Sequence, residues 1–339
     1  MITPFIFYLA MGVTAFAVSF ASLPFWRVAC ERVGLVDDPG ARKIHSATIP
    51  LAGGFAVLAG ILAPFLVAGA VWLLPGATGA ALREAILTHG LHPGRRAGEL
   101  GVILLGGLGM LTIGALDDKY ELPPRWKFAG QLAIALLVAS AKVRITLFVP
   151  SVAFSYAITC LWILSVINAF NFMDNMNGLC AGLGAIGAAY FAVLAAAQGQ
   201  YLVAVLGAGT MGALLGFLPH NFPRASAFLG DAGSHLVGYL LAIMAILPHY
   251  YTAKNPHPWA VLIPLLILAV PLGDMAWVVV IRWRLGQPFY VGDNNHLSHR
   301  LVRSGWSRPA AVMLVWALAL GIGAISLLDL CLGAAPPGK

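Results

Sequence analysis

The stretch 168-NAFNFMDNMNGLCAG-182 decides both how this chain folds and where its chemistry lies. It follows 155-SYAITCLWILSVI-167 and precedes 183-LGAIGAAYFAVLAAA-197, two uncharged runs that read as parts of helical membrane spans. Four asparagines and an aspartate between such runs are costly to desolvate unless water or a ligand meets them. The stretch therefore reads as the end of one span, a polar turn at the membrane rim, and the start of the next.

The rest of the chain agrees. Of 339 residues, 60% are hydrophobic and only 10% charged, and the mean hydropathy is +0.86. A soluble domain carries about 25% charged residues, and no stretch here is polar enough to form one. The expectation is an all-α polytopic membrane protein, a single integral membrane domain over residues 1–339. The first apolar run lacks a basic start and a small-residue cleavage site, so it reads as a retained helix. Cys30, Cys160, Cys180 and Cys331 show no CxxC or metal spacing and read as small packing residues.

Hydropathy places ten helices at about 4–30, 51–74, 99–116, 127–142, 152–170, 178–197, 200–217, 233–249, 259–282 and 310–332. Loops 31–50, 117–127, 171–178, 218–232 and 283–309 then share one face, which holds 13 of the 20 Lys and Arg residues. The positive-inside rule makes that face cytoplasmic, with both termini periplasmic or extracellular. The net charge of +7 reflects topology and anionic headgroups and calls for no nucleic acid. Nine of the 13 acidic residues lie on or beside the same face, which that rule does not explain.

Asp117 and Asp118 are adjacent as the third span ends, where like charges call for a cation; the plainer reading is a solvated loop paired with Lys119 and Arg125. Asp231, between Gly230 and Gly233, sits where a simple helix cap would also place an acid. His296 and His299 share a helical face ahead of Arg300 and Arg303; a third zinc ligand is missing, and imidazole with guanidinium suits phosphate. Lys43 and His45 precede Gly53-Gly54 in an anion-friendly entrance, or in an ordinary basic loop. Each cluster alone is weak. Carboxylates for a divalent cation and basic groups for phosphates on one face together suggest phosphoryl transfer from a soluble donor to a lipid acceptor.

The ordered motifs resemble a known family. They are Asp37-Asp38-Pro39 with Arg42-Lys43-x-His45, then Asp117-Asp118 with Lys127-Phe-x-Gly-Gln131, and Asn168-x-x-Asn171-x-x-Asp174 with Asn177-Gly-Leu. Asn221-x-Pro with Phe228-x-Gly-Asp231-x-Gly-Ser, and Asp293-x-x-His296-x-x-His299-Arg-Leu, complete the series. Over roughly residues 35–307 the chain resembles the polyprenyl-phosphate N-acetylhexosamine-1-phosphate transferases, glycosyltransferase family 4. The first loop is more similar to the branch that uses UDP-N-acetylglucosamine than to the muramoyl-pentapeptide branch.

The resemblance implies transfer of a sugar-1-phosphate, GlcNAc-1-phosphate in the favoured reading, from a UDP-N-acetylhexosamine to undecaprenyl phosphate, with release of UMP. It implies Mg2+, with Mn2+ as an alternative, a bacterial inner-membrane setting, a cytoplasmic cleft and a start to a cell-envelope glycan; a homodimer is compatible with it. By matching positions, Asp231 is a metal ligand with Asn171 and Asp174 beside it. Asp117 and Asp118 face the acceptor, and Lys127 contacts phosphates. Asn177 and Asn221 hold the uridine, His296, His299 and Arg300 line the diphosphate end, and Lys43 and His45 guard the entrance. The chain departs from the family pattern at Asn175, Asn177, Asn294 and Ser298, which bears on the donor. A transporter and a CDP-alcohol phosphotransferase are the rival classes: no internal repeat favours the first, and the second's helix-pair motif is missing. Asp274, inside the ninth span, belongs to none of these motifs.

Overall fold

The computed structural model describes residues 4–39, 47–76, 79–80, 83–84, 97–248, 250, 257–288 and 293–328. Its long elements are α1 (Pro4–Val33), α2 (Gly53–Trp72), α3 (Ala97–Tyr120), α4 (Pro124–Ser140), α5 (Val152–Met173), α6 (Leu179–Ala197), α7 (Tyr201–Asn221) and α8 (Gly230–Ile246). A 3-10 turn (Pro258–Leu262) leads into α9 (Ile263–Ile267), α10 (Ala269–Arg284), α11 (Leu297–Arg303) and α12 (Arg308–Ile325). The one sheet among the described residues is an antiparallel pair, β1 (Val36–Asp37) with β2 (Ile49–Pro50).

Each of the ten predicted spans contains helix. Among the described residues seven helices are long and apolar enough to cross a bilayer unaided, and a bent pair makes an eighth. The remaining two predicted spans are α8, a shorter apolar helix, and α4, both 17 residues, near the lower limit for crossing about 30 Å of hydrocarbon. The predicted straight ninth span, 259–282, is instead broken: α9 and α10 meet at 75°. Pro271 supplies the reason, since its ring clashes with the carbonyl four residues back, which is Ile267, the last residue of α9. The fourth helix begins at Pro124 rather than 127, because proline is favoured in the first helical turn.

The bundle is organised around α8. Beyond Asp231, Ser234 and His235 this helix is apolar on every side, and it is almost wholly buried from Gly230 to Ala245, as expected of a helix enclosed by others; it packs on α2, α3, α5 and α6. The outer helices show lipid-facing side chains, among them Phe5, Leu66, Leu161 and Leu318. Cys30, Cys160 and Cys180 are buried free thiols, as predicted; Cys331 lies outside the described residues.

At one end of the bundle the 222–229 loop is tied to the first hairpin. Phe228 N–H donates to Pro50 O, and Gly53 and Gly54 N–H donate to Phe228 O and Leu229 O. That end holds a cavity of about 1170 Å³. Its lining comes from all five loop regions that the sequence placed on one face: 34–51, 117–122, 174–177, 221–231 and, from the last, Arg308.

Candidate active site

The site is built on the first turn of α8. Asp118, at the exit of α3, accepts the N–H groups of Asp231 and Ala232 at 2.8 and 3.0 Å. One carboxylate thus caps two of the unpaired donors at the start of a neighbouring helix. Gly230 makes the approach feasible: it has φ +72, and a Cβ there would lie 2.7 Å from Asp118 Oδ2. At Gly114, one turn earlier on α3, a methyl would overlap Asp231 O and Ala232 N. Gly114→Ala is therefore expected to push α3 from α8, lowering turnover at this site about 100-fold and stability by about 1–3 kcal/mol. Initial rates and thermal unfolding in detergent check this; a variant within twofold of the parent would contradict it.

Lys127, in the first turn of α4, donates to Asp117 Oδ2 and Asp231 Oδ2 at 2.6 Å each. Its third contact is Asn171 Oδ1 at 3.4 Å. Asn171, on the last turn of α5, in turn donates to Asp231 Oδ1 at 2.7 Å and Ser234 Oγ at 3.1 Å. Asp117 accepts Leu122 N–H through its other oxygen. Four helices thereby bring Asp117, Asp118, Lys127, Asn171 and Asp231 into one connected network.

Asp174 caps α5 beside this network. Desolvation, and then the charges of Asp231 and Asp118, raise its carboxyl well above the ordinary range, against a hydrogen bond from Gly230. The neutral form is favoured in the fold, so its stability contribution is complete below the ordinary carboxylate value near 4 and is lost as pH rises through the elevated folded value. The melting temperature of ligand-free protein should therefore fall as pH rises across that window, and Asp174→Asn should flatten the fall. An Asp174→Asn variant with an unchanged pH slope would refute the assignment.

Asn221 is buried, accepting Gly178 N–H at 2.6 Å and donating to Ala227 O at 2.9 Å, and Asn177 donates to Pro223 O at 3.2 Å. Both line the cavity, and both stitch the 174–178 turn to the 221–231 loop. His296, at the N-cap of α11, and His299, on its first turn, have ring centroids 6.3 Å apart. Burial first, and then the nearby guanidinium charges of Arg303 and Arg308, hold the His299 imidazole below its ordinary value. Arg300 lies over the Trp277 ring at 5.2 Å. These three flank the cavity rather than line it, linked to it by Ser298 Oγ, which donates to Asn175 Oδ1 at 2.8 Å. Lys43 and His45 lie outside the described residues.

Two features were missed in the sequence. Arg308 lines the cavity beside Asn175 and Asn177. A polar track also runs below the site, where Asn168 donates to Gln131 at 3.0 Å and Gln131 meets the buried His235 at 3.4 Å. Gln131 and Asn168 stand inside quoted motifs; His235, a lone histidine within an apolar run, gave the usable signal.

The chemistry of the donor set fits a hard divalent cation. Asp117, Asp174 and Asp231 offer carboxylate oxygens, and the Lys127 ammonium between two of them marks a point where positive charge is stable. Among the described residues no three His, Cys, Asp or Glu side chains form a ligand set by themselves. A metal here would thus share its shell with amide, water or phosphate oxygens.

A many-span helical bundle closed at one end by this cavity defines an integral membrane protein with a highly charged terminal site. The chain belongs to glycosyl transferase family 4, whose family model matches residues 100–249, and is an enzyme of that family. It is 31% identical over 316 residues to a Bacillus subtilis (strain 168) protein named "Probable undecaprenyl-phosphate N-acetylglucosaminyl 1-phosphate transferase", covering 90% of this chain and 81% of that one. It is 32% identical over 349 residues to the "Decaprenyl-phosphate N-acetylglucosaminephosphotransferase" of Mycobacterium tuberculosis (strain ATCC 25618 / H37Rv), covering 93% and 81%. An Escherichia coli (strain K12) protein, "Undecaprenyl-phosphate alpha-N-acetylglucosaminyl 1-phosphate transferase", is 29% identical over 314 residues, covering 87% and 77%.

Proposed function

We propose that this enzyme transfers N-acetylglucosamine-1-phosphate from UDP-N-acetylglucosamine to undecaprenyl phosphate, releasing UMP, on the cytoplasmic face of a bacterial inner membrane. The single observation that carries the reading is the Lys127 ammonium joining Asp117 and Asp231, at a cavity that Asp174 also lines at the end of the bundle. The names of the relatives support the sugar and the lipid.

Two anionic phosphates must meet, and their repulsion is the main barrier to relieve. The acceptor is a phosphate monoester whose second pKa is near 6, so at neutral pH it is already largely a dianion and needs no strong base. Its oxygen attacks the β-phosphate of the donor, the bond from that phosphorus to the bridging oxygen breaks, and the pair leaves with UMP. In this reading Asp117, Asp174 and Asp231 would contribute oxygens to a Mg2+ shell shared with amide, water or phosphate oxygens, and the ion would supply charge neutralisation. Lys127 and Arg308 are placed to hold the phosphates, with the imidazoles of His296 and His299 at the flank of the cavity. Direct attack is favoured over an Asp118 phospho-enzyme because both Asp118 oxygens already accept backbone N–H bonds.

The test is UMP release by purified protein with magnesium, undecaprenyl phosphate and a panel of UDP-sugars. Release that needs the lipid, is greatest with UDP-N-acetylglucosamine and is lost in Asp231→Ala supports the reading. No release with any donor would overturn it.

A further inference from the structure

Asp274 sits within the apolar helix α10 and is only 6% exposed. Both of its oxygens are committed to the segment that enters α11. Oδ2 lies 2.6 Å from His296 Nδ1, and Oδ1 accepts the Leu297 N–H at 2.6 Å. With Asp274 as a carboxylate, which only accepts, Nδ1 carries the proton. Nε2 is then the one ring nitrogen able to meet a ligand or exchange a proton.

The surroundings hold the ring from other directions as well. Two turns further along α10, Arg282 Nε donates to Asp293 Oδ2 at 2.7 Å. Eight helical residues rise about 12 Å and four extended residues reach about 13 Å, so α10 pins both ends of the 293–297 segment. The Arg282 guanidinium also lies 4.8 Å over the Phe172 ring, and Phe172 meets the His296 ring nearly edge-on, at 76° and 5.6 Å. Phe172 is two residues before Asp174, so the held imidazole is packed against the arm that carries the site.

We propose that Asp274 is a positioning residue for the transfer reaction, locking His296 in the Nδ1–H tautomer so that Nε2 faces the substrate phosphates. When Nε2 takes a proton, the same carboxylate stabilises the imidazolium. The proposal rests on the transferase reading for what Nε2 meets, but not for the tautomer itself. A carboxylate that merely stapled Leu297 would give no reason for the second, equally short contact to Nδ1.

The test uses full-length protein labelled with 15N-histidine, with His296 assigned by the signal lost in His296→Gln. At about pH 8, where an ordinary imidazole is neutral, the parent should show His296 protonated on Nδ1 and bare on Nε2. In Asp274→Asn one oxygen remains for two donors. The Leu297 N–H cannot change its character but the imidazole can, so the amide NH2 turns to Nδ1 and the proton moves to Nε2. Turnover should fall about 100-fold, with KM for both substrates within about threefold.

A parent with Nδ1 bare, a variant with Nδ1 still protonated, or a variant with turnover within threefold would each overturn the proposal. The parent spectrum needs neither a folded variant nor substrate. A protein with the expected tautomer but no transfer from any UDP-sugar would leave the lock standing and remove the transferase reading.

Discussion

Lys127→Met is expected to lower lipid-dependent UMP release by about 10³-fold, equivalent to ~4 kcal/mol of transition-state stabilisation. The methionine matches the volume of the lysine stem but removes the ammonium that joins Asp117 and Asp231 at 2.6 Å each. Three losses then coincide. The two carboxylates face each other unneutralised, Asn171 loses the cation at its carbonyl, and the phosphates lose a donor. Lys127→Arg should recover only part of the rate, because a planar guanidinium cannot send its donors in the three directions an ammonium fills. Initial rates at saturating magnesium and lipid make the comparison. A methionine variant within tenfold of the parent would show that the ammonium is peripheral.

The second large effect is expected at Asp118. Asp118→Asn leaves one acceptor oxygen for two N–H groups at the start of α8, and its own NH2 opposes the other. An unpaired buried donor costs about 1–3 kcal/mol, so the melting temperature should fall. Turnover should drop about 100-fold as Asp231 shifts from its place. Residual activity is central to this expectation. If Asp118 were a nucleophile, the asparagine variant would retain no transfer above background, and donor alone would leave labelled phosphate on the parent enzyme.

Much of this was legible in the residues. Ten apolar runs gave the helices, and the pairing of acids with bases on one set of loops located the cavity that those loops line. Of Asn171 and Asp174, spaced by one turn, the first donates to Asp231 and the second lines the same cavity as Asp231. The break at Leu268 was hidden because hydropathy averages over a proline whose clash falls four residues earlier. Two departures from the family pattern, Asn175 and Ser298, looked independent in the sequence. In the fold they are partners, with Asn175 also donating to Phe172 O at 2.7 Å. Asp274 is similar: no spacing rule joins it to His296, 22 residues away, because the contact arises only where α11 folds back along α10.

In the proposed reaction the sugar and its phosphate pass as one unit from a nucleotide to a membrane lipid. The direct measurement uses UDP-N-acetylglucosamine carrying 32P at the β-phosphate and 3H in the sugar, with undecaprenyl phosphate and magnesium. The prediction is a lipid product holding both labels in the donor's ratio, formed in step with unlabelled UMP. Tritium reaching lipid without 32P, or UDP rather than UMP as the released nucleotide, would contradict it.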